Sequence, residues 1–132
     1  YPSAHFYFVT YHTLGVILLR RIRTSELGSS VVWLWPVAVL VAAYGFAWAD
    51  TFAMTDGAIA EQFTYRDLPR MLRWGSLFYA SYFVISFPMI YRLDEGPRDD
   101  WDLRWVAVEA LAAGMLLLFL LDGLTHFVGR LY

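Results

Sequence analysis

The amino-acid sequence predicts an all-α fold, a polytopic integral membrane helical bundle with about four transmembrane helices, on three observations. First, the 132 residues are 59% hydrophobic, 19% aromatic and only 17% charged, with a mean hydropathy of +0.47. A soluble domain is about a quarter charged and at most half apolar, so the excess apolar surface must face lipid. Second, the charges are segregated. Uncharged runs cover 1–19, 27–49 and 74–91, and a fourth from Trp105 to Leu121 is broken only by Glu109. Each approximates the roughly 20 residues that one bilayer crossing needs. Third, the runs are rich in Leu, Val, Ala, Phe and Trp without strict alternation, whereas a closed membrane barrel is built from alternating segments of ~10 residues.

The first helix is expected over about 4–20 and closes in Arg20, Arg21 and Arg23. It has neither a basic leader nor a small-residue cleavage site, so it reads as a truncated membrane helix rather than a signal peptide. The second helix, about 30–49, ends at Asp50. The third, about 68–91, starts where Asp67 precedes Pro69, with Arg70 and Arg73 snorkelling into the headgroups. The fourth, about 103–127, can be capped by Asp102. Pro36 and Pro88 are expected to kink or end their helices. Small residues four apart, at Ala38 and Ala42, Gly45 and Ala49, Ser76 and Ala80, and Ala110 and Gly114, allow close helix approach. The first and third links then share one membrane face. Their six arginines, against four on the other face, make it the cytoplasmic side. Asp94, Glu95, Asp99, Asp100 and Asp102 in the third link are expected to pair with its arginines.

Several function classes are excluded. All ten basic residues are Arg against twelve Asp and Glu, and a net charge of -2 supplies no basic stripe for nucleic acid. No Cys is present to form a disulfide, a thiolate metal site or a thiol nucleophile. No phosphate loop, serine elbow or metal-binding helix motif occurs, so no metal is expected.

Ionisable groups inside a span cost roughly 2.5–3.5 kcal/mol each and ask for a reason. His5, His12 and Glu109 are such groups. His12 lies eight residues before Arg20, near the midplane, and His5 lies about 10 Å further along the same face. Asp50 ends the second helix, and Asp122 and His126 lie four residues apart at the end of the fourth. His5, Asp50, Asp122 and His126 are therefore expected to converge at one depth, either as an acid/base set around a pocket or as interfacial anchors. Glu109, in the opposite leaflet, is either a further acid or the partner of Arg20 or Arg104. Aromatic residues crowd these positions, and Tyr11, Tyr44, Trp48, Tyr79 and Tyr82 are candidates to line a flat apolar site whose reaction passes through positive charge.

The stretch from His5 to Arg23, with Tyr11-His12 and Leu19-Arg20-Arg21-Ile22-Arg23, resembles the cycloeucalenol cycloisomerase family of membrane sterol enzymes. So do Gly75-Ser76-Leu77-Phe78-Tyr79-Ala80, Ile85-Ser86-Phe87-Pro88-Met89, Asp94-Glu95, Trp101-Asp102-Leu103, Val106-Ala107-Val108 and Asp122. The resemblance implies that residues 1–132 are one transmembrane domain, the C-terminal part of a longer chain whose N-terminal half would be a partner. It also implies an isomerase (intramolecular lyase) of sterol biosynthesis, in the bacterial inner membrane or endoplasmic reticulum, that opens the cyclopropane ring of a cyclopropyl sterol without a cofactor. Asp50 stands where the family usually has Glu, Glu109 where it usually has Asp, and His126 has no counterpart. On this basis Asp50 or Asp122 is the expected acid, with Glu109 competing. His5 or His12 orients the acid or accepts the outgoing proton, and Tyr and Trp rings shield the cation. The rival readings are a non-catalytic sterol-binding subunit and a haem anchor using His12 and a histidine of the fourth helix.

Overall fold

A computed structural model describes residues 2–55, 63–95 and 102–129, with side chains from residue 6 onward. Every regular element among them is helical. Helix α1 (Pro2–Thr24) is followed by a short α2 (Glu26–Ser30) and by α3 (Leu34–Ala53). A single turn, α4 (Leu68–Arg70), runs through a π-helical turn (Met71–Gly75) into α5 (Ser76–Asp94), and α6 (Leu103–Val128) completes the chain.

Local chemistry sets the boundaries. The Ser25 hydroxyl accepts the Gly28 amide at 3.0 Å and starts α2. As the sequence suggested, Asp67 accepts the Arg70 amide at 3.0 Å and Asp102 accepts the Arg104 amide at 3.0 Å, each filling an amide that the first helical turn leaves unpaired. Gly129, at φ +80°, ends α6 in backbone that only glycine adopts without strain. Neither proline ends its helix. Pro36 lies in the first turn of α3, where its missing N–H is not needed, and α5 runs on through Pro88 to Asp94.

Three helices, α1, α3 and α5, enclose the core of Val16, Leu19, Val39, Ala42, Ala43, Ala47, Ala80, Phe83, Phe87 and Tyr91. The pairing of α3 with α5 is the most extensive. It is made by small residues, with Ala42, Ala43 and Ala47 of α3 buried and Ser76 and Ala80 buried on α5. Helix α1 approaches α5 just as closely at Gly15, where an added Cβ would lie 2.8 Å from the Phe87 ring. Arg20 pairs with Glu95 at 3.3 Å, joining the C-terminal ends of α1 and α5 as an up-and-down order of four long helices demands.

Helix α6 packs against α5 and inverts the pattern of a soluble helix. Its one buried residue is Glu109, while Leu111, Met115, Leu116, Leu118 and Phe119 are all exposed. Only α3 and α6, of the four expected spans, are both long and apolar enough by composition to cross a membrane. Helices α1 and α5 fall short because His12, Tyr7, Tyr11 and the three arginines of one, and Tyr79, Ser81, Tyr82, Ser86 and Pro88 of the other, lower their hydropathy. Several of those residues build the site.

Candidate functional site

A half-open cavity of about 440 Å³ lies between the four long helices, within the size range of small-molecule sites. Helix α1 contributes Tyr7, Phe8, Tyr11 and His12, successive turns of one face. Helix α5 contributes Tyr79, Tyr82, Phe83 and Ser86, α3 supplies Asp50, and the outer wall is Ala113, Gly114 and Leu117 of α6.

Two polar stations interrupt this apolar lining. At the first, the Tyr11 hydroxyl donates to Asp50 Oδ1 at 2.6 Å, and Tyr79 lines the cavity beside the same carboxyl. Tyr65, in the link after α3, lies near enough to feel the Asp50 charge. Burial pushes its phenol above the usual tyrosine value, and that charge adds to the effect. The π-helical turn holds α5 in this register. Ser76, just after it, donates to Thr51 at 3.3 Å, next to Asp50 in the chain. A π-turn inserts one residue into a helix and commonly marks a functional position.

At the second station, His12 is only 5% exposed. Its Nδ1 lies 2.7 Å from the Phe8 carbonyl and its Nε2 lies 2.8 Å from Ser86 Oγ. A carbonyl only accepts, so Nδ1 carries the proton, the neutral ring has a bare Nε2, and the serine hydroxyl donates to it. Phe8 lies 4.0 Å from the imidazole centroid, Phe87 5.5 Å and Phe83 5.8 Å, fixing the ring plane.

The structure thus joins Asp50, His12, Tyr11, Tyr79 and Tyr82 and separates them from other candidates. Asp122 is exposed and borders a different hollow with His126, at the far end of α6, so the expected convergence of Asp50 with Asp122 and His126 is not formed. The physical reason is that α6 packs on α5 rather than closing against α1 and α3. His12 and His126, the pair expected of a haem anchor, likewise border different hollows. Glu109 is buried and pairs with Arg92 of α5, not with Arg20 or Arg104. Tyr44, expected in the ligand wall, instead directs its hydroxyl at the Leu72 and Arg73 carbonyls in the π-helical turn, 3.4 Å from each. Trp48 stacks on Phe52 at 5.2 Å, away from the cavity lining. The side chain of His5 lies outside the described residues, as do Asp99 and Asp100. Ser86 went unrecognised as a site residue, because a serine in an apolar helix reads as packing. Among the described residues no cluster of His, Asp and Glu could hold a metal.

Against known proteins, the chain is 41% identical over 128 residues to "Cycloeucalenol cycloisomerase" of Arabidopsis thaliana. It is a homologue of that protein. The family resemblance carried by the His5–Arg23 and Ile85–Met89 stretches is therefore borne out. The match takes in 95% of this chain and 45% of the relative, so the chain spans about half the length of the cycloisomerase it matches. No protein-family model and no solved structure matches the chain.

Proposed function

We propose that the cavity is the reaction site of a cyclopropyl-sterol isomerase embedded in the membrane, with Asp50 as proton donor and His12 as the base that receives the outgoing proton. One observation carries the reading. A carboxyl and an imidazole with a bare nitrogen face the same apolar, aromatic-lined hollow, in a chain homologous to a cycloeucalenol cycloisomerase.

Isomerisation changes neither composition nor redox state, so two proton transfers suffice. The Asp50 carboxylic acid gives its proton to the cyclopropane methylene. The strained C–C bond breaks, the methylene becomes a methyl group, and a tertiary cation is left on the ring. Tyr11 and Tyr79 then hydrogen-bond the carboxylate as its charge develops, which favours the transition state over the resting acid. The faces of Tyr79, Tyr82 and Phe83 stabilise the cation. A neighbouring C–H bond breaks, its electron pair makes the double bond, and the proton passes to His12. Glu109 is paired with Arg92 and does not line this cavity.

All four long helices cross the bilayer in this reading. The inverted surface of α6, apolar outside and acidic inside, supports it, as do His12 of α1 and Ser76 and Ser81 of α5, which are buried in the bundle interior, where intramembrane polar side chains belong. The test is conversion of a cyclopropyl sterol fed to membranes carrying the protein, followed by gas chromatography. The parent should yield the ring-opened, unsaturated isomer, and Asp50→Asn should lower the rate about 100-fold or more. An Asp50→Asn variant working at the parental rate refutes the assignment.

A further inference from the structure

Resting on the isomerase reading, we infer that Ser86 is a catalytic residue, the hydroxyl through which the substrate's outgoing proton reaches His12. The hydroxyls of Thr10, Thr51, Ser81 and Thr125 each turn back to a carbonyl three or four residues earlier in their own helix, the ordinary habit of hydroxyls in helices. Ser86 breaks that habit. Its Oγ reaches from α5 to His12 Nε2 on α1, at 2.8 Å, while lining the cavity.

Access decides the role. His12 is 5% exposed, its ring is covered by Phe8, Phe83 and Phe87, and Nδ1 is tied to the Phe8 carbonyl. The only basic atom of the ring, Nε2, is already bonded to the serine. A proton leaving a sterol in the cavity therefore meets Ser86 Oγ first. In the step, the ring C–H bond breaks and its electron pair forms the double bond that quenches the cation. The released proton bonds to Ser86 Oγ as the hydroxyl's own proton moves to Nε2. The products are a neutral serine and an imidazolium whose two N–H groups point at the Phe8 carbonyl and at Ser86. Asp50 has lost one proton and His12 has gained one, so the protein's charge is unchanged. Water entering the half-open cavity after product release returns the proton from His12 to Asp50. The Phe8 carbonyl holds the resting proton on Nδ1, so Nε2 is the atom that takes up the substrate's proton and later releases it.

The experiment uses the full-length protein in membranes, with Ser86→Ala and Ser86→Thr, and nitrogen NMR of protein labelled at histidine. Ser86→Ala should lower kcat on the order of 100-fold while leaving KM unchanged, and Ser86→Thr, which keeps the hydroxyl, should restore most of the rate. The resting His12 Nε2 should read as an unprotonated hydrogen-bond acceptor whose signal moves in Ser86→Ala. Equal kcat in the alanine and threonine variants, per folded molecule, would mean that Ser86 merely ties α1 to α5, and would overturn the relay. A resting proton on Nε2 would do the same. A parent protein inactive on cyclopropyl sterols would end the isomerase reading, and the NMR result would still decide whether the serine feeds a bare nitrogen.

Discussion

Replacing Tyr11 with Phe removes one oxygen and little else. The ring keeps its contacts with Phe46 and Phe83, at 5.7 and 5.9 Å between centroids, so packing is preserved while the 2.6 Å bond to Asp50 is lost. A hydrogen bond to a charged acceptor contributes about 1.5–3 kcal/mol. Asp50 is half-exposed, where water can replace part of the lost bond, so the lower end applies. About 1.5 kcal/mol withdrawn from the transition state alone slows the reaction roughly tenfold, since each 1.36 kcal/mol is about a factor of ten. The effect should fall on kcat, because the bond to the carboxylate strengthens only as the proton leaves. The Tyr11→Phe/Tyr79→Phe double variant, which strips both phenols, should lose roughly 100-fold on the same arithmetic. Turnover of a cyclopropyl sterol in membranes, measured by gas chromatography and normalised to folded protein, reads both. Tyr44→Phe is the control, since that hydroxyl serves the π-helical turn and its loss should leave kcat alone. If the double variant turned over at the parental rate, the phenols would be packing groups and Asp50 a helix-end anchor.

Other predictions probe the frame around the site. Asp122→Asn should isomerise at the parental rate, because Asp122 borders a different hollow from the one Asp50 lines; the same chromatographic assay checks it. Arg92→Met leaves the buried Glu109 carboxylate unpaired and should lower stability by about 1–3 kcal/mol, less than a fully buried pair because Arg92 is exposed, and Glu109→Leu added to it should recover most of the loss in a thermal melt. Gly15→Val forces a side chain against Phe87 and should destabilise by about 1–3 kcal/mol while displacing the His12 ring that Phe87 covers, read as a lower melting temperature with a lower kcat. Tyr65 has a folded-state value raised above the ordinary 10.0 of a free phenol. Its contribution to stability is therefore complete below pH 10 and is lost as pH climbs through the folded value, and Tyr65→Phe should remove that alkaline fall in a pH-dependent melt.

Four long helices and their order were legible because each signal was local, whereas the second of them, expected over about 30–49, runs four residues later, at Leu34–Ala53. Runs such as 27–49 and 74–91 carry no charge, and Asp67 and Asp102 are caps that act within three residues. The family too was legible, since runs such as Ile85-Ser86-Phe87-Pro88-Met89 stand in the chain itself. Depth counting grouped Asp50 with His5, Asp122 and His126 at one end of the bundle. It failed for Asp122 and His126, because counting along helices gives height in the bundle and says nothing of which neighbour a helix chooses. The pairing of Glu109 with Arg92 rather than Arg20 or Arg104 has the same origin, as α6 lies on α5.

Composition, helix positions, the acidic and imidazole candidates and the family are properties of the chain read in order, and the sequence alone determined them. Three features came only from tertiary structure: the seating of α6 on α5, the π-helical turn that Tyr44 braces, and the bond from Ser86 to His12. Each depends on which helix faces are turned toward one another, a choice made by packing the small residues of α3 and α5 and the Gly15–Phe87 approach. Ser86 and His12 are separated by 74 residues, and no local pattern encodes their 2.8 Å contact. It exists because three helices must bury one another's apolar faces, and the site forms where that burial leaves a gap.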